Sequence, residues 1–208
     1  MPRRKLIRQN QFPYHVTSRS RNQEWYKLEL STVWCCCLES LKIAKEKHPC
    51  SLHSFVLMNN HYHLILTPRD GQIDQFMYEF NKNLSLKIRE RSRRVNQIFG
   101  GRYKWLILSN DRILMNFLRY VYRNPVKAKM VASCEKYPFS SLFHLYSYKR
   151  SDLFSPLFEY DDYHLTWFNR EPEEIEELAI GLSLKRNGEI KISKSKRNKE
   201  IYFQKFSA

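Results

Sequence analysis

The sequence of 208 residues predicts an α+β fold in which helices cover one antiparallel sheet. Three observations carry that reading. Four short stretches rich in aliphatic and aromatic residues read as strands. Three longer stretches repeat apolar residues at three- and four-residue spacing, the period of a helix. The two kinds follow one another as strand, helix, strand, strand, helix, strand, helix. The first six make the split βαβ arrangement of the ferredoxin-like fold, with two helices on one face of the sheet and an additional helix beyond them.

Each element follows from its residues. "FPYHVTS" (12–18) carries Phe12, Tyr14, Val16 and Thr17 and reads as the first strand. From 22 to 48, Leu30, Val33, Trp34, Cys37, Leu38, Leu41 and Ala44 mark one face of a long helix that Pro49 ends. "CSLHSFVLM" (50–58) and "HYHLILT" (61–67) are strands joined by the two-residue turn "NN", and Pro68 with "RDG" breaks the pattern. Ile73, Phe76, Met77, Phe80, Leu84 and Ile88 line a second helix over 73–94. After "GG" (100–101), "RYKWLILS" (102–109) is the fourth strand. "NDRILMNFLRYVYRN" (110–124) opens on an Asn/Asp cap and runs as a helix until Pro125.

The composition narrows the function classes. Hydrophobic residues make up 42% of the chain, enough for a real core, and the length fits one compact domain plus a further segment. We divide it at residues 1–150 and 151–208. The formal net charge of +15 favours a polyanionic partner, most simply nucleic acid. No apolar run approaches the length of a bilayer span, so no membrane partner is expected. "MPRRKLIRQN" lacks the apolar region of a secretory signal. Five cysteines, three of them consecutive (Cys35, Cys36 and Cys37), match neither a disulfide framework nor a common zinc spacing. They read as small apolar helix residues in a cytoplasmic protein.

"FVLMNNHYHLILTP" (55–68) puts two histidines in an apolar strand. Residues i and i+2 of a strand share a side, so His61 and His63 project together while Tyr62 points away. Two adjacent imidazoles make a bidentate metal site. An ordinary pair of hydrogen-bonded sheet histidines is the alternative. In the last helix Tyr120 and Asn124 lie one turn apart on one edge of the stripe Ile113, Leu114, Phe117, Leu118 and Val121, and Tyr122 lies on the other edge. Read alone, Tyr120 is a stripe-edge aromatic and Asn124 a cap before Pro125.

Five blocks in order, "YHVTSRSRN" (14–22), "FVLMNNHYHLIL" (55–66), "FGGRYKWLIL" (99–108), "RYVYRNPVKAKMV" (119–131) and "YPFSSL" (137–142), resemble the REP-associated tyrosine transposases. These belong to the single-strand insertion-sequence branch of the HUH superfamily. The resemblance covers roughly the first 150 residues, with no counterpart for the rest. It implies a ferredoxin-like core, Mg²⁺ or Mn²⁺ on His61 and His63, and Tyr120 as the nucleophile that forms a covalent 5′-phosphotyrosine. Asn124 stands where relatives place a third metal ligand, and Tyr122 stands where relatives often carry His. Imidazole ligands alone would equally suit Zn²⁺ or Ni²⁺. No P-loop sequence is present, which fits chemistry that stores bond energy in the covalent link.

The expected partner is single-stranded or hairpin DNA, bound by a monomer or homodimer. Candidate DNA-binding residues are Arg3, Arg4 and Lys5 before the first strand, Arg19 and Arg21 after it, and Lys87, Arg91 and Arg94 at the end of the second helix. Part of that last run is explained by the helix C-terminus alone. "REPEEIEELAIGLSL" (170–184) reads as a short acidic then amphipathic helix, and 185–206 as a basic tail. Two function classes follow: an enzyme that cuts and rejoins single-stranded DNA, or a catalytically inactive DNA- or RNA-binding regulator on the same fold.

Overall fold

A computed structural model describes residues 5–146, 152–185 and 188–189. Strands β1 (Tyr14–Arg19), β2 (Cys50–Leu57), β3 (His61–Pro68) and β4 (Lys104–Ile107) pair antiparallel in the order β2-β3-β1-β4. Helix α1 (Leu30–Lys47) links β1 to β2, and α2 (Ile73–Ser92) links β3 to β4. This is the split βαβ order that the sequence predicts. A two-residue β5 (Gly188–Glu189) adds a parallel edge to β4, which no sequence pattern announced.

Side-chain alternation gives the sheet two unlike faces. Tyr14, Val16, Tyr62, Leu64, Leu66, Trp105 and Ile107 point into a core closed by α1 and α2. In β2 the register shifts between Leu52 and Ser54. This bulge keeps Leu52, Phe55 and Leu57 all on the α1–α2 side; without it the last two would turn to the opposite face. The other face presents His15, Thr17, Arg19, His61, His63, Ile65 and Leu106. Helix α3 (Asp111–Lys127) covers it, packing Leu114, Phe117, Leu118 and Val121 against Val56, Ile65 and Leu106.

Two helix boundaries depart from the sequence reading. Helix α1 begins at Leu30 rather than near 22, because residues 21–23 form a 3-10 turn and Asn22, Gln23 and Lys27 hold positive φ angles of 55°, 59° and 59°. Non-glycine residues in that region cannot continue a right-handed helix. Helix α3 runs through Pro125 to Lys127 instead of stopping before it. Proline removes the N–H that would bond the Val121 carbonyl. The Asn124 side chain supplies donors in its place: Nδ2 donates to Tyr120 O at 2.7 Å and to Val121 O at 3.4 Å.

The later part of the chain folds back on α3. After α4 (Ser141–Tyr146), helix α5 (Asp162–Asn169) starts with a capping box in which Asp161 accepts from His164 N at 3.0 Å. Helix α6 (Glu174–Lys185) lies where the acidic, amphipathic stretch was expected. It is fastened by a buried ion pair, Glu176 to Arg119 of α3 at 2.8 Å. The Arg119 guanidinium also lies over the Trp167 ring, 4.3 Å from its centroid.

Candidate active site

β3 delivers His61 and His63 to the α3 face, with ring centroids 5.0 Å apart and planes at 83°. α3 brings Tyr120 over them, its ring 5.4 Å from that of His63. The half-turn offset along the helix sends Tyr122 the other way. It is buried against Phe168, 5.0 Å between centroids, with its hydroxyl 3.4 Å from both Ser141 Oγ and Tyr160 Oη. Asn124 stays on the Tyr120 edge, and its bonds to the helix carbonyls commit its amide nitrogen. Its carbonyl oxygen is the group left to accept or to ligate.

A third histidine joins the pair. His15 of β1 is buried, its ring edge to edge with that of His63, centroids 5.2 Å apart and planes within 20°, with Nε2 3.0 Å from His63 Nδ1. It did not stand out in the sequence as a lone histidine in a strand. The signal that would have found it is the pairing rule: β1 lies beside β3 in a split βαβ sheet, and His15 falls on the face of His61 and His63. On the far side, His61 Nδ1 lies 2.7 Å from Asn60 Oδ1. An amide oxygen only accepts, so His61 carries its proton on Nδ1 and keeps a lone pair on Nε2. His63 Nε2 is buried and has no hydrogen-bond partner among the described residues.

Burial sets the protonation states. It lowers His15 to about 3. Burial and then the charge of Arg19 lower His61 to about 4. His63 falls well below the ordinary value, by burial first and then by its histidine neighbours and Arg19. All three rings are neutral at pH 7, the form that ligates metal. Burial raises the Tyr120 phenol, while the Asn124 side chain and Arg19 pull it back and Glu177 adds to the rise.

A cleft of about 540 Å³ opens beside Tyr120 between α3 and α6. Tyr120, Asn124, Arg123 and Lys127 line one wall, Glu177 and Ile180 the other. Glu177 holds Lys127 through both carboxylate oxygens, at 2.8 and 2.9 Å. The segment beyond residue 150 therefore reaches the nucleophile candidate, although no sequence motif tied it to the site.

The donor set fits a divalent cation. Two neutral imidazoles present unprotonated Nε2 atoms or can do so, and each has its Nδ1 held by a neighbour, the support that metal-ligating histidines usually have. Among the described residues no group of three or more His, Cys, Asp or Glu side chains is arranged to hold a metal. The Asn124 oxygen is an uncommitted acceptor on the Tyr120 edge of α3. Mixed nitrogen and oxygen donors suit Mn²⁺ better than Mg²⁺, which prefers oxygen alone.

The basic residues separate into two groups. Lys5, Arg19 and Arg21 are exposed, and Arg19 pairs with His61 across the β1–β3 ladder on the site face. Lys87 is bonded to Glu39 at 2.6 Å, and Arg91 Nη1 lies 2.9 Å from Cys36 Sγ. Arg94 is bonded to Glu24 at 2.8 Å with its side chain only 7% exposed. Arg3, Arg4 and the basic tail from 190 onward lie outside the described residues. All five cysteines are free thiols; Cys36 and Cys37 pack inside α1 as read, whereas Cys35 on the same helix is exposed.

No helix among the described residues is long and apolar enough to cross a membrane. No protein-family model and no curated protein matches the chain. Among solved structures, a REP-associated tyrosine transposase bound to a REP hairpin is 18% identical, with a TM-score of 0.59 over 77% of this chain and 94% of that one. A Deinococcus radiodurans R1 protein described as a transposase is 12% identical, with a TM-score of 0.39 over 58% of this chain and 94% of that one, a likeness too slight to argue from. The first comparison is one of architecture: this chain has the fold of a REP-associated tyrosine transposase.

Proposed function

We propose that this protein cuts and rejoins single-stranded or hairpin DNA through a covalent 5′-phosphotyrosine on Tyr120, with Mn²⁺ or Mg²⁺ held by His61, His63 and Asn124. The observation that carries the reading is the Tyr120 ring 5.4 Å from His63, whose buried Nε2 has no partner among the described residues. A nucleophile candidate and a ligand lone pair occupy one face. The solved neighbour is bound to a REP hairpin, which favours a hairpin substrate here.

An unperturbed tyrosine is ionised to only about one part in a thousand at pH 7, and burial of Tyr120 makes the fraction smaller. Attack on a phosphodiester therefore needs electrostatic help. A bound divalent cation would supply it by polarising the scissile phosphate, worth several kcal/mol. The chain's own residues do the rest. Tyr120 Oη forms a bond to phosphorus, the bond from phosphorus to the 3′ oxygen breaks, and the phenolic proton is lost as the 3′ oxygen gains one. The reverse reaction, with the same or another 3′ hydroxyl, joins strands and frees the tyrosine. Arg19, exposed beside His61, lowers the cost of the phenolate and can hold a phosphate. Asn124 places the third ligand on the edge that carries the nucleophile.

The test is incubation of labelled single-stranded hairpin oligonucleotides with the protein and Mn²⁺ or Mg²⁺, followed by peptide mapping of the trapped adduct. Metal-dependent cleavage with the nucleotide on Tyr120 is expected. Full activity in excess chelator would remove the metal, and a nucleotide on Tyr122 would remove both Tyr120 and the role given to Asn124. Tight binding with no cleavage under any divalent ion would leave the regulator reading.

A further inference from the structure

We infer that His15 is a positioning residue: it accepts a hydrogen bond from His63 Nδ1 and so fixes the tautomer in which His63 Nε2 is a bare lone pair, ready for a divalent cation. The inference rests on the metal reading above and assigns a function to a histidine outside the His61–Tyr62–His63 motif.

The contact alone allows two arrangements. In one, His15 Nε2 donates to His63 Nδ1, and His63 then carries its proton on Nε2. In the other, His63 Nδ1 donates to His15 Nε2, and His63 Nε2 is unprotonated. The 3.0 Å separation fits both. The surroundings of the opposite nitrogen separate them. His63 Nε2 is buried and has no acceptor among the described residues. A proton there would be a buried donor with nothing to bond, which carries the full desolvation cost and is rare in folded proteins. The second arrangement avoids that donor. It leaves a bare acceptor on a ring whose centroid is 5.0 Å from that of His61.

The neighbouring histidine supports the same conclusion independently. Asn60 Oδ1 holds His61 by Nδ1 at 2.7 Å, which also leaves Nε2 unprotonated. Both histidines are thus gripped at Nδ1 and free at Nε2, one by a turn residue and one by β1. The His15 and His63 rings lie edge to edge within 20° of one plane, so the lone pair of one nitrogen meets the N–H of the other in line, and turning the His63 ring would break that bond. Phe117 lies 5.2 Å from the His15 ring and packs against it from the α3 side. His15 has no place in the phosphoryl chemistry itself. It acts through His63.

The experiment uses the full chain in two measurements. Long-range ¹H–¹⁵N correlations on the metal-free protein with ¹⁵N-labelled histidine report which nitrogen of His63 is protonated. Titration with Mn²⁺ alone, followed by its electron paramagnetic resonance signal, reports affinity without substrate. In the wild-type protein His63 should be protonated on Nδ1. His15→Leu, which has no acceptor, should shift His63 toward Nε2–H and weaken Mn²⁺ binding about 10- to 100-fold. His15→Gln restores an acceptor at the same reach and should recover the Nδ1–H tautomer and most of the affinity. A wild-type His63 protonated on Nε2 would overturn the inference even if the leucine variant failed to fold. So would an unchanged tautomer and affinity in His15→Leu, or a glutamine variant no better than leucine. No Mn²⁺ binding by the wild-type protein would instead defeat the metal reading, and the tautomer measurement would still judge His15.

Discussion

The two faces of the sheet are built from the same strands and spend their residues differently. Toward α1 and α2 the side chains are apolar and interlocked: Phe55, Tyr62 and Phe80 meet with centroids 5.2 to 6.2 Å apart. The one polar atom in that trio is satisfied, since Tyr62 Oη donates to Asn81 Oδ1 at 2.7 Å. Toward α3 the same alternation turns three imidazoles, against which α3 sets the phenol of Tyr120, and His63 Nε2 is buried without a partner among the described residues. Buried polar atoms without partners among the described residues occur on both faces, Tyr26 Oη and Tyr103 Oη on the first and His63 Nε2 on the second. What differs is their chemistry: the first face scatters phenols through an apolar core, and the second gathers imidazole nitrogens beside a phenol, the donor types of a binding site.

One substitution made on each face should separate these roles most sharply. Tyr120→Phe should bring adduct formation down to background, a loss of three or more orders of magnitude on the order of other nucleophile deletions. Its stability should shift by no more than about 0.5 kcal/mol, since the ring and its packing remain. Tyr62→Phe should do the opposite: adduct yield unchanged, and about 1 kcal/mol of stability lost with the bond to Asn81. Urea melts and adduct gels on the two variants check both. If Tyr62→Phe lost activity as severely as Tyr120→Phe, the division between the faces would fail.

The sources of stability should differ too. Phe80→Ala on the first face should cost about 3–5 kcal/mol by emptying a packed aromatic site. Glu176→Leu on the second should cost a similar amount, about 3–5 kcal/mol, for an electrostatic reason: Arg119, with its side chain only 2% exposed, would be left buried without its carboxylate. The distinction is tested by a second change. Arg119→Met added to Glu176→Leu should recover most of the loss, whereas no single polar change should rescue Phe80→Ala. Failure of the double variant to recover would show that the ion pair does more than compensate itself.

Acid should act first on the histidine face, above the pH at which the paired carboxylates of α1 and α2 begin to protonate. His15, with its pKa lowered to about 3 by burial, stays neutral in the folded protein while an unfolded histidine protonates near 6.5. Between those values the unfolded state binds one more proton, so stability rises with pH and is lost as pH falls below about 6.5. The slope is about 1.4 kcal/mol per pH unit for each such histidine. His61, lowered to about 4, adds a second contribution over a narrower window. Urea melts of the metal-free protein at pH 7.5 and 5.5 should therefore differ, and His15→Phe should reduce the difference by the share of one histidine while His53, His61 and His63 keep theirs. Equal stability at the two pH values would contradict the burial of neutral histidines.

The sequence made the first face legible almost completely, because periodicity and order are local properties and the split βαβ topology follows from them. Spacings of two on a strand and four on a helix also put His61 with His63 and Tyr120 with Asn124, while the roles proposed for them came from the resemblance and not from the spacing. What it hid depends on distant partners. His15 gains meaning only once β1 is laid beside β3. Arg119 sits within the apolar run of α3 and is tolerable there only because α6 brings Glu176. The expected stop at Pro125 failed: the one carbonyl that proline abandons, Val121 O, still has the Asn124 side chain 3.4 Å away, and a residue-type rule cannot foresee that. The basic residues were the least legible of all: a list of arginines says nothing about which charges are already spent.

If about six phosphates are contacted, binding to single-stranded DNA should weaken with salt at a log–log slope of roughly −4. Arg19 is exposed, lies beside His61 in the ladder and bonds only the neutral Gln23 side chain, at 3.3 Å, among the described residues. Arg94 is bonded to Glu24 and is nearly buried. Arg19→Gln should therefore remove one phosphate contact and flatten the slope by about 0.7, the single-strand value per phosphate. Arg94→Gln should leave the slope as it is, because its charge is already neutralised inside the protein. Fluorescence anisotropy with a labelled oligonucleotide across a series of salt concentrations measures both. A flattened slope for Arg94→Gln and an unchanged one for Arg19→Gln would mean that the DNA runs past the end of α2 rather than across the histidine face, and the proposed position of the scissile phosphate would have to move with it.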